Sequence, residues 1–350
     1  MDGNAIVWCA NALTTTNGKT AHGLIRFTER YRVLCVVDPE CAGRDAREVI
    51  DGRPNSIPVV ATTAEAIARF ADATHFVVGL APDGGRLPPE GRIAAREAIE
   101  AGLNVDSGLH DFLSDDPELV AAAQERGVQI RDIRRTADRS QLHGFSGRIA
   151  GVKALKVAIL GTDSAVGKRT TAWLLVQACN RRGIRATMVG TGQTAWLQGV
   201  KHGIILDSLV SDFMAGELEH ATVSAWEDGH PQVIVIEGQG SLLNPAYPGG
   251  YEILAACRPE VAVVQHAPAR TEYDGFPGFP LESLAHQIRI IELVSKARVV
   301  AVTLNHEHLT DIEGAKAAMS AETGLPACDP LLDGMDLVVD ALLPLLPAER

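Results

Sequence analysis

KVAILGTDSAVGKRTTA, residues 156–172, sets the fold of the second half of the chain. Its apolar start predicts a buried strand at 157–160, and the apolar spacing of 168–180 predicts a helix. Between them lies G-x5-G-K, from Gly161 to Lys168, one residue longer than the usual G-x4-G-K spacing. A glycine-bounded loop in this position turns backbone N–H groups inward to cradle phosphate oxygens, and the lysine adds a cation. The sequence therefore predicts a phosphate-binding loop; the alternative is a tight turn with a surface lysine.

The residue after the lysine departs from the usual form of this loop. Arg169 stands where a Ser or Thr hydroxyl normally binds Mg²⁺, and arginine cannot bind a metal. Thr170 and Thr171 follow, but each further helical residue rotates its side chain by about 100° around the axis. Two interpretations remain open. Either other groups hold Mg²⁺, or the loop cradles a phosphate that needs no metal, such as those of coenzyme A.

Carboxylates and amides follow other apolar runs of this half. Glu237 follows VIVI in the turn EGQGS and could bind a metal through water or act as a general base. Asp212, in SDFMAGELE, could supply a second carboxylate or simply cap a helix. The turn TGQT has the small, hydrogen-bonding residues of a substrate loop. We predict Glu237 and Asp212 as catalytic residues, and Gln193 and Gln239 as substrate-binding residues.

Two further strand ends carry candidate site residues. In QHAPAR, His266 could transfer a proton at neutral pH, and Arg270 could donate two parallel hydrogen bonds to a substrate carboxylate. A single histidine at such a position is at least as often structural. Asn305 ends the strand AVTL and could read an adenine edge, although asparagine at a strand end often only makes a turn. We predict His266 as catalytic and Arg270 as substrate-binding.

The predicted cofactor site combines the loop, the start of its helix and Asn305. Its residues are Gly161, Thr162, Asp163, Ser164, Ala165, Val166, Gly167, Lys168, Arg169, Thr170 and Asn305. No metal ligands are predicted.

The first half alternates short apolar runs with helical stretches. Strands are predicted at 6–9, 33–37 and 75–79, and helices at 63–71, 90–100 and 116–126. This alternation predicts a parallel sheet covered on both faces. Asp38 ends the second strand, as in a nucleotide-binding Rossmann half, but the first strand is followed by ANALTTTNGKT rather than G-x-G-x-x-G. A Rossmann-like domain is expected; nicotinamide binding is not supported.

A polar segment dotted with glycine, SQLHGFSGRIAGVKA at 140–154, separates the halves. After it, strands are predicted at 157–160, 186–189, 233–236, 261–264 and 299–304. We predict an α/β protein of two domains: a Rossmann-like parallel sheet at 1–145, followed by a P-loop NTPase-like, three-layer α/β/α domain at 146–350.

Composition narrows the class of protein. The chain has 350 residues and a net charge of −12, with no long basic run, which disfavours nucleic-acid binding. No apolar run approaches the roughly 18–20 residues that cross a bilayer, and the N-terminus lacks the pattern of a secretory signal. We expect a cytoplasmic enzyme that acts on a small-molecule substrate and has no nucleic-acid or membrane partner. A homodimer or larger homo-oligomer is expected on base rates.

The motifs GTDSAVGK and VIVIEGQGS resemble dethiobiotin synthetase and its relatives. That group has GTDxxxGKT, and its metal is bound by the loop Thr, an Asp in mid-domain and a Glu at a strand end. Glu237 matches that Glu and Asp212 matches the Asp loosely, while Arg169 replaces the Thr. Asn305 corresponds to a position that reads adenine. The resemblance implies binding of ATP with Mg²⁺.

A closer resemblance covers nearly the whole chain. GLAPDGGRLPPEGR, GLNVDSGLHDFLSDDPEL, LGTDSAVGKRTTA, GTGQTAW, SDFMAGELE, IEGQGSLLNPAYPG and DGFPGFPLESL are similar to a two-domain family, some of whose members are D-glutamate N-acetyltransferases. That resemblance implies acetyl-CoA as donor. Arg270 or Arg169 would then bind the substrate carboxylates, and Glu237 or His266 would serve as the base.

The expected activity is therefore transfer of an acetyl group from acetyl-CoA to D-glutamate or a similar acidic amino acid. The alternative is an ATP- and Mg²⁺-dependent ligase or kinase that resembles dethiobiotin synthetase. A third possibility is a non-catalytic protein that senses a nucleotide or metabolite.

Overall fold

The computed structural model describes residues 1–347. The chain folds into two compact units. The first unit contains residues 1–136 and 193–200, and the second contains residues 137–192 and the described chain from 201 onward. The short segment 193–200 thus leaves the second half of the sequence to join the first unit. A division of the chain at a single boundary, such as the one predicted between residues 145 and 146, does not anticipate this excursion.

The first unit is built on six parallel strands in the order β3-β2-β1-β4-β5-β6. The strands are β1 (Gly3–Trp8), β2 (Tyr31–Val37), β3 (Val59–Val60), β4 (His75–Val78), β5 (Asn104–Ser107) and β6 (Ile130–Asp132). The helices are α1 (Lys19–Arg26), α2 (Ala46–Asp51), α3 (Thr63–Arg69), α4 (Pro89–Glu100), α5 (Pro117–Arg126) and α7 (Gln193–Gln198). This strand order is that of a Rossmann sheet, which confirms the predicted fold.

The sequence sets the limits of these elements locally. The carboxylate of Asp116 accepts hydrogen bonds from the N–H groups of Glu118 and Leu119 at the start of α5, and Gly127 ends that helix in the left-handed region. The residues of β4 are all buried, as expected of a central strand covered on both faces. Short apolar strands between capped helices therefore bury one continuous core.

Asp38 has a structural task at the end of β2. Its carboxylate accepts hydrogen bonds from the backbone N–H groups of Leu13, Glu40 and Cys41, at 3.0 to 3.2 Å. The side chain is fully buried. In a dinucleotide-binding Rossmann domain an acid near this position binds a ribose hydroxyl. Here the acid instead holds the loop that follows β1 and the turn that follows β2.

The second unit is built on seven parallel strands in the order β13-β12-β11-β7-β10-β8-β9. The strands are β7 (Leu155–Gly161), β8 (Ala186–Gly190), β9 (His202–Gly203), β10 (Val233–Glu237), β11 (Val261–His266), β12 (Arg298–Leu304) and β13 (Ala327–Cys328). The helices are α6 (Lys168–Arg181), α8 (Ser211–Gly229), α9 (Tyr251–Ala256), α10 (Leu284–Val294), α11 (Ile312–Thr323) and α12 (Asp336–Leu342).

Strand β7 lies at the centre of this sheet, between β10 and β11, and all of its residues are buried. Because the strands are parallel, the loops that follow β7, β10, β11 and β12 leave the same edge of the sheet. The glycine-bounded loop after β7 is therefore flanked by the turns that contain the other predicted site residues. Within residues 1–347, no helix is both long and apolar enough to cross a membrane.

Candidate functional site

The loop between β7 and α6 has the backbone of a phosphate cradle. Ala165 and Gly167 have positive φ angles, 51° and 109°. Left-handed residues among right-handed ones turn neighbouring N–H groups to the same side, which forms an anion nest. A Cβ atom at Gly161 would lie 2.9 Å from Cγ2 of Val166, so the loop closes back on the strand only with glycine there. The strand–loop–helix context predicted from the sequence is confirmed.

Lys168 is almost completely buried, at 7% exposed, which rules out a surface lysine after a simple turn. Its Nζ donates to the backbone oxygen of Asp163 at 2.7 Å, so the ammonium lies against the loop. The turn after β10 packs beside it. A Cβ at Gly238 would be 3.1 Å from Cδ of Lys168 and 2.2 Å from the oxygen of Ile159. Glycine at 238 therefore brings the end of β10 against the start of α6.

Asp163 holds three loops together. Its fully buried carboxylate accepts hydrogen bonds from the N–H of Ser164 and the side-chain amide of Asn244 through Oδ1, at 2.7 and 2.8 Å. Through Oδ2 it accepts from Arg270 and from the N–H of Asp274, at 2.8 and 2.9 Å. The segments after β10 and β11 are thus tied to opposite oxygens of one carboxylate. The sequence analysis placed Asp163 in the loop but gave it no such role.

Arg270 has partners within the protein. Besides Asp163, its Nη1 donates to the backbone oxygen of Ser164, and its Nε donates to Glu307 at 2.5 Å. Burial opposes the charge, but the hydrogen bond and charge of Glu307 raise the pKa of Arg270 above its ordinary value. Arg270 is therefore a permanent cation beside the loop. Its predicted contact with a substrate carboxylate stays a prediction.

Glu237 lies at the end of β10, with 6% of its surface exposed. Its Oε2 accepts the N–H of Thr191 at 2.8 Å. Burial raises the pKa of Glu237 above its ordinary value of 4.5, while the positive charges of Arg169 and Lys168 and hydrogen bonds from Thr191 and Gly192 oppose that rise. Arg169 is therefore close enough to act electrostatically on the carboxylate. The cation that replaces the metal-binding hydroxyl faces the acid that would share the metal.

His266 lies at the end of β11, on the opposite side of β7 from Glu237. Its Nδ1 is 2.8 Å from the hydroxyl of Thr162. Burial lowers the pKa of His266 to about 4, and the positive charge of Arg270 acts in the same direction. The imidazole is therefore neutral at physiological pH. Environment moves the pKa values of His266 and Glu237 in opposite directions on the two sides of the loop.

Thr171 cannot replace the missing loop hydroxyl. Its Oγ1 donates to Oε1 of Gln265 at 2.5 Å, and Thr303 donates to the same oxygen at 2.6 Å. These three side chains form a buried polar layer beneath the loop. Thr170 is buried at the first turn of α6.

Asn305 follows β12 and turns towards its own segment. Its N–H donates to the oxygen of His266 at 2.7 Å. Its side chain exchanges hydrogen bonds with Glu307, from Nδ2 to the carboxylate at 3.2 Å and from the Glu307 N–H to Oδ1 at 3.1 Å. This geometry is that of a turn-forming asparagine. A contact with adenine stays a prediction.

The other predicted residues are dispersed. Gln239 lies beside Glu237, and its Nε2 donates to the oxygen of Thr191 at 2.9 Å. Gln193 begins α7 in the first unit, where its Cγ fills the space beside Gly108. Asp212 is exposed in the first turn of α8, and in the described chain no hydrogen bond or ion pair joins it to Glu237 or the loop. Within residues 1–347, no group of three or more His, Cys, Asp and Glu side chains is placed to hold a metal ion.

Two residues of the network escaped the sequence analysis. Asn244 is buried and links Asp163 to the N–H groups of Ala246 and Tyr247. Glu307 joins Arg270 to Asn305. Asn244 lies in NPAYPG, a run of turn-forming residues that could have indicated a structured loop. Glu307 lies in a polar run without a distinctive pattern, so no local signal marks it.

The fold and site define a two-unit α/β protein, with a Rossmann-like unit and a unit whose central strand leads into a phosphate-binding loop. Family models agree. The Rossmann-like domain of the DUF1611 family, a family of unknown function by its description, matches residues 39–136, and the P-loop domain of that family matches residues 143–339. A crystal structure of a DUF1611 family protein from Anabaena variabilis at 2.30 Å resolution is similar over 98% of this chain and 99% of its own, with a TM-score of 0.90 and 31% identity.

Two curated relatives are named D-glutamate N-acetyltransferase. One, from Tritonibacter scottomollicae, is 34% identical over 285 residues, which cover 79% of this chain and 83% of the relative. The other, from a Pseudoalteromonas species, is 32% identical over 275 residues, which cover 76% and 80%. The chain belongs to the DUF1611 family, and these two relatives are named as acyltransferases.

Proposed function

We propose that this protein transfers the acetyl group of acetyl-CoA to the amino group of D-glutamate or a similar acidic amino acid. The observation that carries the proposal is the pair of adjacent cations, Lys168 and Arg169, at the start of a helix behind a loop shaped for phosphate. The names of the relatives support the reaction and the substrate.

The residues of the loop fit the phosphates of coenzyme A without a metal. Helix N-terminus, anion nest and lysine together favour a phosphate group. Arg169 adds a second cation where a magnesium nucleotide would require a hydroxyl. Its charge also faces Glu237, so the acid that could hold Mg²⁺ already has a cationic neighbour. The arginine would then neutralise the phosphate charge of the ligand, as Mg²⁺ does for a nucleotide.

Arg270 is the proposed anchor for a substrate carboxylate. Its Nε and Nη1 are used by Glu307, Asp163 and Ser164. Among the residues described, Nη2 makes no hydrogen bond, so that group retains its N–H donors. A guanidinium held rigidly at two of its nitrogens presents the third in a fixed direction, which favours recognition of a carboxylate.

Glu237 and His266 are proposed for different tasks. When bound, acetyl-CoA supplies a thioester carbonyl as the acceptor for an amine. Glu237, whose pKa burial raises above its ordinary value, would take the proton from the substrate ammonium group. His266 is neutral; in the tautomer whose Nδ1 accepts from the Thr162 hydroxyl, its Nε2–H would donate to the oxygen that becomes negative during transfer. No cysteine lies in the loop or its flanking turns, in keeping with direct transfer.

A coupled assay tests this function. The protein is incubated with D-glutamate and acetyl-CoA, and free coenzyme A is followed with a thiol reagent. We expect release that depends on D-glutamate and persists in EDTA, with L-glutamate as the stereochemical control. A parallel reaction contains ATP and Mg²⁺. ADP formation in that reaction, without release of coenzyme A in the first, would instead establish the ligase or kinase alternative.

A further inference from the structure

The first unit contains a cavity that the proposed acetyl transfer does not use. Its volume is about 220 Å³, and it lies at the carboxyl-terminal edge of the sheet, where ligands of open α/β sheets bind. The residues that define its chemistry are Trp8, Val37, Thr63, Glu90, Ile93 and Glu97. An engineered protein cavity of about 150 Å³ is large enough for benzene, so this one has room for a single ring with a short chain.

The cavity is unsuited to a dinucleotide. The acid that would bind ribose, Asp38, is already bound to three backbone N–H groups. The segment after β1 lacks the glycine fingerprint that lets a pyrophosphate approach. No Lys, Arg or His is among the residues that line the cavity. A ligand with phosphates would therefore meet two carboxylates and no cation.

One stripe of α4 forms a wall of the cavity. Glu90, Ile93, Ala94 and Glu97 recur at the spacing that places side chains on one helix face. The two arginines of α4 form ion pairs with carboxylates that do not line the cavity. Arg92 pairs with Asp116 and Glu118, and Arg96 pairs with Glu100 and Glu118. Within residues 1–347, the carboxylates of Glu90 and Glu97 make no side-chain hydrogen bond or ion pair. The wall thus presents two carboxylates around an apolar patch, neither of them paired with a cation of residues 1–347.

We infer that this cavity binds a small organic cation with an apolar body. Trp8, Val37 and Ile93 receive the apolar part, and Glu90 and Glu97 attract the ammonium group. The attraction is modest because both carboxylates are exposed, so charge selects the ligand while apolar burial contributes most of the affinity. This inference does not depend on the proposed acetyl transfer.

Three probes of similar shape and different charge test it on the full-length protein. Phenethylammonium, 2-phenylethanol and 3-phenylpropionate are titrated at low ionic strength and neutral pH, and binding is followed by ligand-observed NMR. We expect phenethylammonium to bind roughly five- to tenfold more tightly than 2-phenylethanol, as two weak exposed ion pairs would give, and 3-phenylpropionate to bind most weakly. The double variant Glu90→Gln/Glu97→Gln should lose the preference for the cation.

Two further variants control for location and folding. Glu100→Gln removes a charge that lies beyond the lining of the cavity and is paired with Arg96, so it should keep the preference. Ile93→Lys changes a side chain that is 60% exposed, so it should fold normally and should abolish binding of phenethylammonium. Equal affinity for the three probes, a preference that survives in the double variant, or no binding at millimolar concentration would each overturn the inference. NADH that displaces phenethylammonium would also overturn it.

Discussion

Lys168 and Arg169 are consecutive in sequence, yet the first turn of α6 gives them different surroundings. Lys168 lies in the loop with its ammonium on the oxygen of Asp163. Arg169 acts on Glu237, at the end of the neighbouring strand. Helical geometry separates successive side chains by about 100°, so one residue can lie in the loop and the next can act on the acid beside it. Each therefore has its own prediction.

Lys168→Ala should raise the KM for acetyl-CoA without abolishing turnover at saturation. A hydrogen bond to a charged group is worth about 1.5–3 kcal/mol, so the increase should be roughly ten- to a hundredfold. Steady-state kinetics measures it. Lys201→Ala, which removes an exposed lysine paired with Asp228, is the matched control and should leave KM unchanged. An unchanged KM in Lys168→Ala would show that the loop is not the site of this ligand.

Arg169→Thr should weaken binding of coenzyme A and make binding of ATP depend on a divalent metal. The change removes one cation and restores the hydroxyl that binds Mg²⁺ in the usual loop. Isothermal titration with coenzyme A, and with ATP in the presence and absence of Mg²⁺, compares the two proteins. Arg169→Lys keeps the charge and is the control. If Arg169→Thr binds coenzyme A as tightly as wild type, the arginine is not part of the cradle.

His266 should make the protein less stable in acid. The unfolded chain binds a proton near pH 6.5, whereas the folded histidine binds it only near pH 4. The contribution of His266 to the free energy of unfolding is therefore constant above about pH 6.5. It falls by about 3 kcal/mol in total as the pH drops towards 4. Urea unfolding of wild type and His266→Gln at several pH values measures the difference. His286→Gln, at an exposed site, should follow wild type. If the free energy of unfolding changes with pH in the same way for wild type and His266→Gln, the prediction is contradicted.

At the scale of elements, the loop after β7 is positioned by the segments that follow β10 and β11. Asn244 and Arg270 reach it from the two sides and bind opposite oxygens of Asp163. The aromatic rings of Tyr247 and Phe276, from the same two segments, meet with their centroids 5.9 Å apart. The cradle is thus held by one buried carboxylate and its four donors, rather than by the glycine motif alone.

Asp163→Asn should destabilise the second unit and weaken binding of acetyl-CoA together. It keeps the shape of the side chain but leaves Arg270 with one fewer carboxylate, and breaking a buried ion pair costs about 3 kcal/mol or more. Chemical denaturation and steady-state kinetics measure the two effects. Asp115→Asn breaks an exposed pair with Arg135 and should cost only about 0–1 kcal/mol. Wild-type stability in Asp163→Asn would show that the carboxylate does not hold these loops.

Elements with a strong local pattern were predictable. The strand and helix around GTDSAVGK, and the apolar runs that became β1, β2, β4, β8, β10, β11 and β12, follow from short buried strands between amphipathic helices. The two-residue strands β3, β9 and β13 were not predicted, because pairing rather than composition defines them. Helix α7 was not assigned to the first unit, because membership of a compact unit depends on packing that no local pattern encodes.

At the scale of the whole molecule, the strand ends that carry the candidate residues were predictable, whereas the partners of those residues were not. Parallel topology requires Glu237, His266 and Asn305 to leave the same edge of the sheet, and the structure confirms that they do. The spacing of the motif could not show that Arg270 binds Asp163, since those residues are 107 positions apart. Nor could it show that α8 leaves Asp212 exposed.

The central claim is that this loop holds an acetyl donor with protein cations instead of Mg²⁺. The most direct test is the initial rate of coenzyme A release from acetyl-CoA and D-glutamate, measured with EDTA and again with added Mg²⁺, for wild type and Lys168→Ala. We predict equal wild-type rates in both conditions, and at subsaturating acetyl-CoA a rate roughly ten- to a hundredfold lower in the variant. Wild-type activity that disappears in EDTA and returns with Mg²⁺ would contradict the claim.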